Sequence, residues 1–248
     1  MTQDLFRQDA YLRQCQATVS SVHVHGIVLD QTVFYPLGGG QAGDCGWVQL
    51  ADGSELAIAD TRKAKDDDGQ FTAGIWHQPT PDSLEALARV RPGDEVTARI
   101  DWERRHRLMR FHTTTHLLCH LVPQLVNGCS ITPDYARLDF NMTDPLDKDQ
   151  LTEGIARLVA AALPITVSSI SDEELDANPA LVKSMSVQPP RGTGRIRTIR
   201  IGQETLIDYQ PCGGTHVANT AEIGPVIVTK IEKKSATTRR IVLGFAPA

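Results

Sequence analysis

Cysteine is scarce and unpaired in this sequence. The five (Cys15, Cys45, Cys119, Cys129 and Cys212) are odd in number, scattered through 248 residues, and form no Cys-x-x-Cys pair. That excludes a secreted disulfide framework. No apolar run approaches the ~18 residues of a membrane helix. The start, Met1 to Asp9, is polar and acidic where a signal peptide is basic and then apolar, so the expectation is a soluble, cytoplasmic protein. An excess of positive charge is also missing. Lys and Arg number 25 against 30 Asp and Glu, a net −5, which excludes a uniformly basic nucleic-acid coat but not a local basic face. There is no internal repeat and no low-complexity tract. What remains is ordinary globular composition, 41% hydrophobic and 22% charged, in a chain long enough for one large or two modest domains.

The first hundred residues read as β structure. Val19 to Asp30 alternates, and Trp47–Leu50 and Glu55–Ile58 flank Ala51-Asp52-Gly53-Ser54, a hairpin signal. Phe71–His77 and Glu95–Ile100 add two more short strands, and Asp66-Asp67-Asp68-Gly69 reads as a solvated turn. Many short strands joined by turn residues predict a small β-barrel over residues 1–100. From Asp101 the period changes. Leu108, Phe111, Thr115, Leu118 and Val122 predict an amphipathic helix through about Asn127. Leu151, Ile155, Leu158, Val159 and Ala162 predict a second helix, ending before Pro164, with a strand at Ile165–Ile170. Ser171-Asp172-Glu173-Glu174 is a capping box opening a third helix. Late strands are expected at Arg195–Ile201, Thr205–Tyr209, Val226–Glu232 and Arg239–Phe245. The fold class is α+β: a barrel over 1–100, then residues 101–248 with helices on a mainly antiparallel sheet.

Two motifs carry metal-binding chemistry. His112-Thr113-Thr114-Thr115-His116 sets two imidazoles one helical turn apart on one face. Cys212-Gly213-Gly214-Thr215-His216 holds a thiol and an imidazole on a glycine-rich loop that can fold both toward one point. One thiolate with three imidazoles is a zinc set. His120, one further turn along the helix, could replace one ligand. A metalloprotease is excluded, because Thr113 stands where a His-Glu-x-x-His site needs its glutamate. A third feature, Phe34-Tyr35-Pro36-Leu37-Gly38-Gly39-Gly40-Gln41, offers close backbone approach and a side chain that both donates and accepts; alternatively it is a flexible connection between strands. Ser184–Arg200 and Lys230–Arg240 each carry a net +4, as phosphate-binding segments or as charged strand edges.

These motifs together resemble the alanyl-tRNA editing family, which comprises the editing domain of alanyl-tRNA synthetase and the free-standing AlaX proteins. Further matches are Arg137-Leu138-Asp139-Phe140, Pro189-Pro190-Arg191-Gly192-Thr193-Gly194-Arg195 and Ile231-Glu232-Lys233-Lys234-Ser235. The resemblance spans residues 9 to 244 in the family's order, and the length is similar to the medium-sized AlaX class; a complete synthetase does not fit. The threonyl-tRNA synthetase editing domain shares the histidine and cysteine spacings, but the Gly-Gly-Gly-Gln loop points to the alanine branch. The resemblance implies zinc on His112, His116, Cys212 and His216. It also implies hydrolysis of the ester joining serine or glycine to alanine-specific tRNA. Candidates to recognise the serine hydroxyl or assist the reaction are Gln41, Thr113, Thr114, Ser130 and Thr132. Gly38, Gly39, Gly40, Arg191, Arg195, Lys233 and Lys234 are the expected substrate and tRNA contacts. The alternative is a tRNA-binding module with a purely structural zinc and no deacylase activity of its own.

Overall fold

A computed structural model describes residues 1–189 and 194–247. The chain divides into two compact units, Met1–Gly38 with Ala42–His106, and Gly39–Gln41 with Arg107–Ala248. Within the described residues there are five α-helices, and the sheets are mainly antiparallel.

In the first unit the strands are β1 (Gln14–His23), β2 (Gly26–Leu29), β3 (Gly46–Gln49), β4 (Glu55–Lys65), β5 (Phe71–Pro79) and β6 (Glu95–Ile100). They are hydrogen-bonded in the order β1-β2-β5-β4-β3-β6, and β6 pairs back onto β1, so the six strands close into a barrel with no free edge. Strict alternation fills it: Val19, Ile27, Leu29, Val48, Leu56, Ile58, Val96, Ala98 and Ile100 form one buried cluster. The Val19–Asp30 stretch is not one strand. A turn at Val24 and His25 splits it into the β1–β2 hairpin. Gly53, at φ +83°, makes the β3–β4 turn, and the acidic run at 66–69 is an exposed turn in which the Asp66 carboxylate accepts from the Asp68 and Gln70 amides. Beside the barrel core Arg105 is fully buried against Asp44 and donates to the Val33 and Ala10 carbonyls at 2.6 and 3.0 Å, so each nitrogen of its guanidinium has a partner.

The long helix α1 (Trp102–Leu121) starts where the Asp101 carboxylate accepts from the Arg104 amide at 3.1 Å. It ends at Leu121, six residues before the expected Asn127. Val122 precedes Pro123, whose ring disfavours helical backbone in the residue before it. The helix is also not amphipathic. Phe111 to Cys119 is buried without interruption, so the histidines and threonines between the apolar residues lie inside the second unit.

The rest of the second unit consists of β7 (Val126–Ile131), β8 (Ala136–Asn141), α2 (Lys148–Ala160), β9 (Ile165–Ile170), α3 (Asp172–Ala177), β10 (Ile196–Ile201), β11 (Asp208–Pro211), β12 (Val226–Ser235) and β13 (Thr238–Phe245). Two antiparallel sheets result, β12-β13-β8-β7 and β9-β10-β11. The capping box is formed: Ser171 accepts from the Glu174 amide, and Glu174 accepts from the Ser171 amide. Strands β7 and β8 give only weak sequence signals, because Asn127-Gly128 and a bulge opposite Asp139–Phe140 interrupt their alternation. The strand expected at Thr205–Tyr209 forms instead at Asp208–Pro211, since Gly202, at φ +89°, and the residues after it make the turn from β10.

Candidate metal centre

Helix α1 and the loop after β11 bring four donors together. The ligand atoms of His112, His116, Cys212 and His216 all lie within 4.8 Å of one another. Cys212 Sγ is 3.4 Å from His112 Nε2 and 3.3 Å from His216 Nε2. In a tetrahedral ion with metal–sulfur and metal–nitrogen bonds of about 2.3 and 2.0 Å, those atoms would stand about 3.5 Å apart. The residues fit a divalent ion. His120 is exposed at the end of the helix and outside the set.

Each imidazole is held at its other nitrogen. His112 Nδ1 is 2.7 Å from Gln41 Oε1, His216 Nδ1 is 3.1 Å from Thr113 Oγ1, and His116 Nδ1 is 2.7 Å from Asp208 Oδ2. With the proton on Nδ1, each ring donates outward and leaves Nε2 as the inward donor for a metal, the tautomer such sites need. Gln41 is clamped in turn: its Oε1 also accepts from the Thr215 amide at 3.1 Å and its Nε2 donates to Thr215 Oγ1 at 2.9 Å. The Arg197 guanidinium fixes the ligand loop by donating to the Cys212 and Gly214 carbonyls at 2.6 and 3.0 Å. Gly214 is required by space. A Cβ there would stand 2.0 Å from His112 Cε1 and 2.9 Å from Gln41 Oε1. Gly40 (φ +86°) packs its backbone on Cys129, and its carbonyl accepts from the Ile131 amide at 2.7 Å.

The cluster pairs an anionic sulfur with a protonated imidazole, whose proton a metal would displace. Burial opposes ionisation of Cys212, yet the neighbouring His112 and His216 hold its thiol well below the ordinary value. Burial likewise opposes a charged His116, but the hydrogen bond to Asp208 and the Cys212 sulfur outweigh it and raise its pKa to about 9. Burial and the neighbouring His112 push His216 down to about 3. Asp208 is buried, which works against its charge; His116 and Lys183 nevertheless bring it to about 2. Cys119 and Cys129, by contrast, are pushed up by burial to about 12 and behave as neutral thiols.

Of the other expected site residues, Gln41 and Thr113 are brought onto the ligand set. Thr114 is not: its hydroxyl donates to the Arg110 carbonyl one turn back. Ser130 pairs with Arg137 across the sheet, which turns it to the face opposite Cys129. Thr132 accepts from the Tyr135 amide and donates to its carbonyl in the turn after β7. Gly38 belongs to the first unit, where its carbonyl accepts from the Tyr35 hydroxyl at 2.8 Å; Gly39 has open space around it. Arg195 donates to Ser169, Lys233 and Lys234 are exposed on β12, and Arg191 lies outside the described residues. Much of the basic charge is structural, since Arg240 grips Asp139 at 2.7 and 2.8 Å and Arg239 is buried in its own turn. Sequence reading missed Asp208, Gln210 and Lys183, and counted Arg197 only within the basic segment Ser184–Arg200. A readable signal existed for two of them: Asp208 and Gln210 are alternate residues of one short strand, a carboxylate and an amide on the same face.

Comparison with known proteins gives the family. Residues 196–242 match the domain family described as the threonyl and alanyl tRNA synthetase second additional domain. Residues 7–104 match the class II (A) tRNA synthetases. An alanyl-tRNA editing protein AlaX-M of Saccharolobus solfataricus is 28% identical over the whole of both chains. An alanine–tRNA ligase of Metallosphaera sedula is 34% identical over 94% of this chain, which spans only 25% of that enzyme. The AlaX-M of Methanosarcina barkeri is 33% identical over 97% of this chain and 98% of its own. With that identity over nearly the full length of both, the chain belongs to the AlaX-M family of alanyl-tRNA editing proteins.

Proposed function

We propose that this chain is a trans-editing hydrolase that deacylates Ser-tRNA(Ala) and/or Gly-tRNA(Ala), with zinc held by His112, His116, Cys212 and His216. The observation that carries the reading is that these four residues meet with Gln41 of the Gly-Gly-Gly-Gln motif in one cluster, buried except for the half-buried Cys212. Relatives of the same length bear the name of alanyl-tRNA editing proteins. One thiolate and three imidazoles suit a borderline-soft ion such as zinc better than an oxygen-seeking one. When bound, that ion supplies a Lewis-acid centre for the aminoacyl ester. The protein's own part is orientation: Gln41 and Thr113 hold His112 and His216, Gly40 lets the loop pack on Cys129, and Gly39, with open space around it, lets backbone lie close to the aminoacyl end.

Editing needs discrimination that size cannot give. A pocket for alanine rejects serine only about 10²-fold, and glycine is smaller still. Alanine lies between the two, so a filter by size alone would not spare Ala-tRNA(Ala). A buried hydrogen-bonding partner for the serine hydroxyl does spare it, because alanine leaves that partner unpaired. Gln41 and Thr113, which lie on the ligand set, are the assigned polar groups; Ser130, on the far face of its strand, and Thr132, held in its own turn, are not. Gly38, Arg191, Arg195, Lys233 and Lys234 are assigned to the tRNA, the cations on its phosphates. In this reading residues 1–100 form the accessory barrel apart from the loop that carries Gln41, residues 101–248 supply the metal ligands, and the protein works in the cytoplasm.

A second reading has one observation in its favour: the cluster offers four protein ligands, the number that fills a structural zinc's tetrahedron. The chain would then be a tRNA-binding module without deacylase activity. Incubation with Ser-, Gly- and Ala-tRNA(Ala) separates the two. Release of serine or glycine but not alanine is the expected result. Equal release from all three refutes selective editing, and release from none supports the module. Cys212→Ala, assayed for zinc and deacylation together, tests the metal: full activity in zinc-free protein refutes its involvement.

A further inference from the structure

The three imidazoles have three different anchors. His112 leans on an amide oxygen and His216 on a hydroxyl, both neutral, whereas His116 alone leans on a carboxylate. That carboxylate, Asp208, has no exposed side-chain surface. A buried carboxylate is costly unless its oxygens are all engaged. Oδ2 accepts from His116 Nδ1 at 2.7 Å and from Gln210 Nε2 at 2.9 Å, and Oδ1 accepts from Lys183 Nζ. Lys183 is thus the one cation on this group among the described residues besides His116 itself.

Lys183 is fixed for the task by its own backbone. Its carbonyl accepts from the Val126 amide at 2.8 Å, and two residues on the Met185 amide donates to the Val126 carbonyl at 2.9 Å, which staples this segment to the start of β7. Its side chain, 25% exposed, enters Asp208 from a cavity of about 460 Å³ lined by Asn178, Leu181, Leu206, Ile207 and Tyr209. Without the ammonium, Oδ1 would face that cavity with no protein partner. The carboxylate could then turn toward water and loosen its grip on His116.

We propose that Lys183 is a positioning residue for the metal site: by pinning Asp208 it holds His116 with Nε2 aimed at the ion, and so sets the affinity of the four-residue set. The inference rests on the metal-site part of the function proposed above and extends it to a residue outside every motif of the sequence. Outer-shell partners of metal-bound histidines typically contribute 10–100-fold in affinity. Lys183 acts one residue further out, so the low end is expected.

The test is metal affinity, measured at constant pH by chelator competition on the purified full chain, with zinc and with cobalt as a spectroscopic probe. Lys183→Met keeps the length and removes the charge; it should weaken binding about tenfold and shift the cobalt absorption bands. Lys183→Arg restores a cation and should bring both close to wild type, whereas Asp208→Asn should weaken binding further. Thermal unfolding of the metal-free proteins checks that each variant is folded. Unchanged affinity and bands in Lys183→Met, failure of Lys183→Arg to rescue, or a wild-type chain that binds neither metal would overturn the proposal. A chain that shows this dependence but deacylates no tRNA would leave the positioning role standing and remove the editing reading. Selective deacylation with metal binding indifferent to Lys183 would do the reverse.

Discussion

Gly214→Ala tests the metal centre at its tightest contact. The residue's φ is not in the positive range, so its backbone is one that alanine adopts and the effect of a side chain there is purely spatial. The new Cβ would sit 2.0 Å from His112 Cε1 and 2.4 Å from Nδ1, whereas ordinary contact begins at 3.4 Å. Ring and loop must therefore separate by about 1.4 Å. A metal bond tolerates about 0.2 Å. Because the loop also bears Cys212 and His216, either His112 leaves the set or the two loop ligands do. Overpacking of this kind costs about 1–3 kcal/mol in a closed core. Zinc affinity should fall about 100-fold or more, beyond the loss of an outer partner alone. Chelator competition with zinc reads the affinity, and the same preparations serve for Ser-tRNA(Ala) deacylation. Gly53→Ala is the control: its φ of +83° makes the change strained, by about 1 kcal/mol, but nothing lies within 4 Å of its Cβ and metal binding should not move. Wild-type zinc affinity in Gly214→Ala would refute the close approach of this loop to His112.

His77, fully buried in the barrel, is pushed down to about 4 by burial, with Nε2 2.7 Å from the Thr32 hydroxyl and Nδ1 3.2 Å from the Ile27 carbonyl. The folded value lies below the unfolded one near 6.5, so between those values the unfolded chain holds the extra proton. Stability is full above pH 6.5 and falls toward pH 4 by up to about 3 kcal/mol. All three tryptophans lie in the first unit, so their fluorescence in urea titrations reads this directly; an unaltered pH slope in His77→Gln would count against it. Lys233 and Lys234 take part in no ion pair among the described residues. Reversing both to Glu should weaken tRNA binding and lower the slope of log K against log salt by about 1–2, with zinc content unchanged. An unchanged slope would remove them from the phosphate contacts.

The sequence alone carried what is local. Alternation and Asp-Gly turns marked the barrel strands, the Ser171–Glu174 pair marked a helix start, and the four candidate ligands stood in two short motifs. It also misled where local pattern and burial part company. The helix through Phe111 to Cys119 has the period of an amphipathic element, but both its faces are covered, because its polar residues meet a loop a hundred residues further on. A one-residue parity in β7 sends Cys129 toward Gly40 and Ser130 to the other face, and neighbouring letters do not reveal which way the register falls. The supporting contacts were the least legible. Gln41 reaches His112 across 71 positions, Asp208 reaches His116 across 92, and Lys183 meets Asp208 from a segment with no motif of its own. The residue types able to bind a metal are written in the chain, but the hydrogen bonds that fix their tautomers and aim exist only once distant segments are packed together.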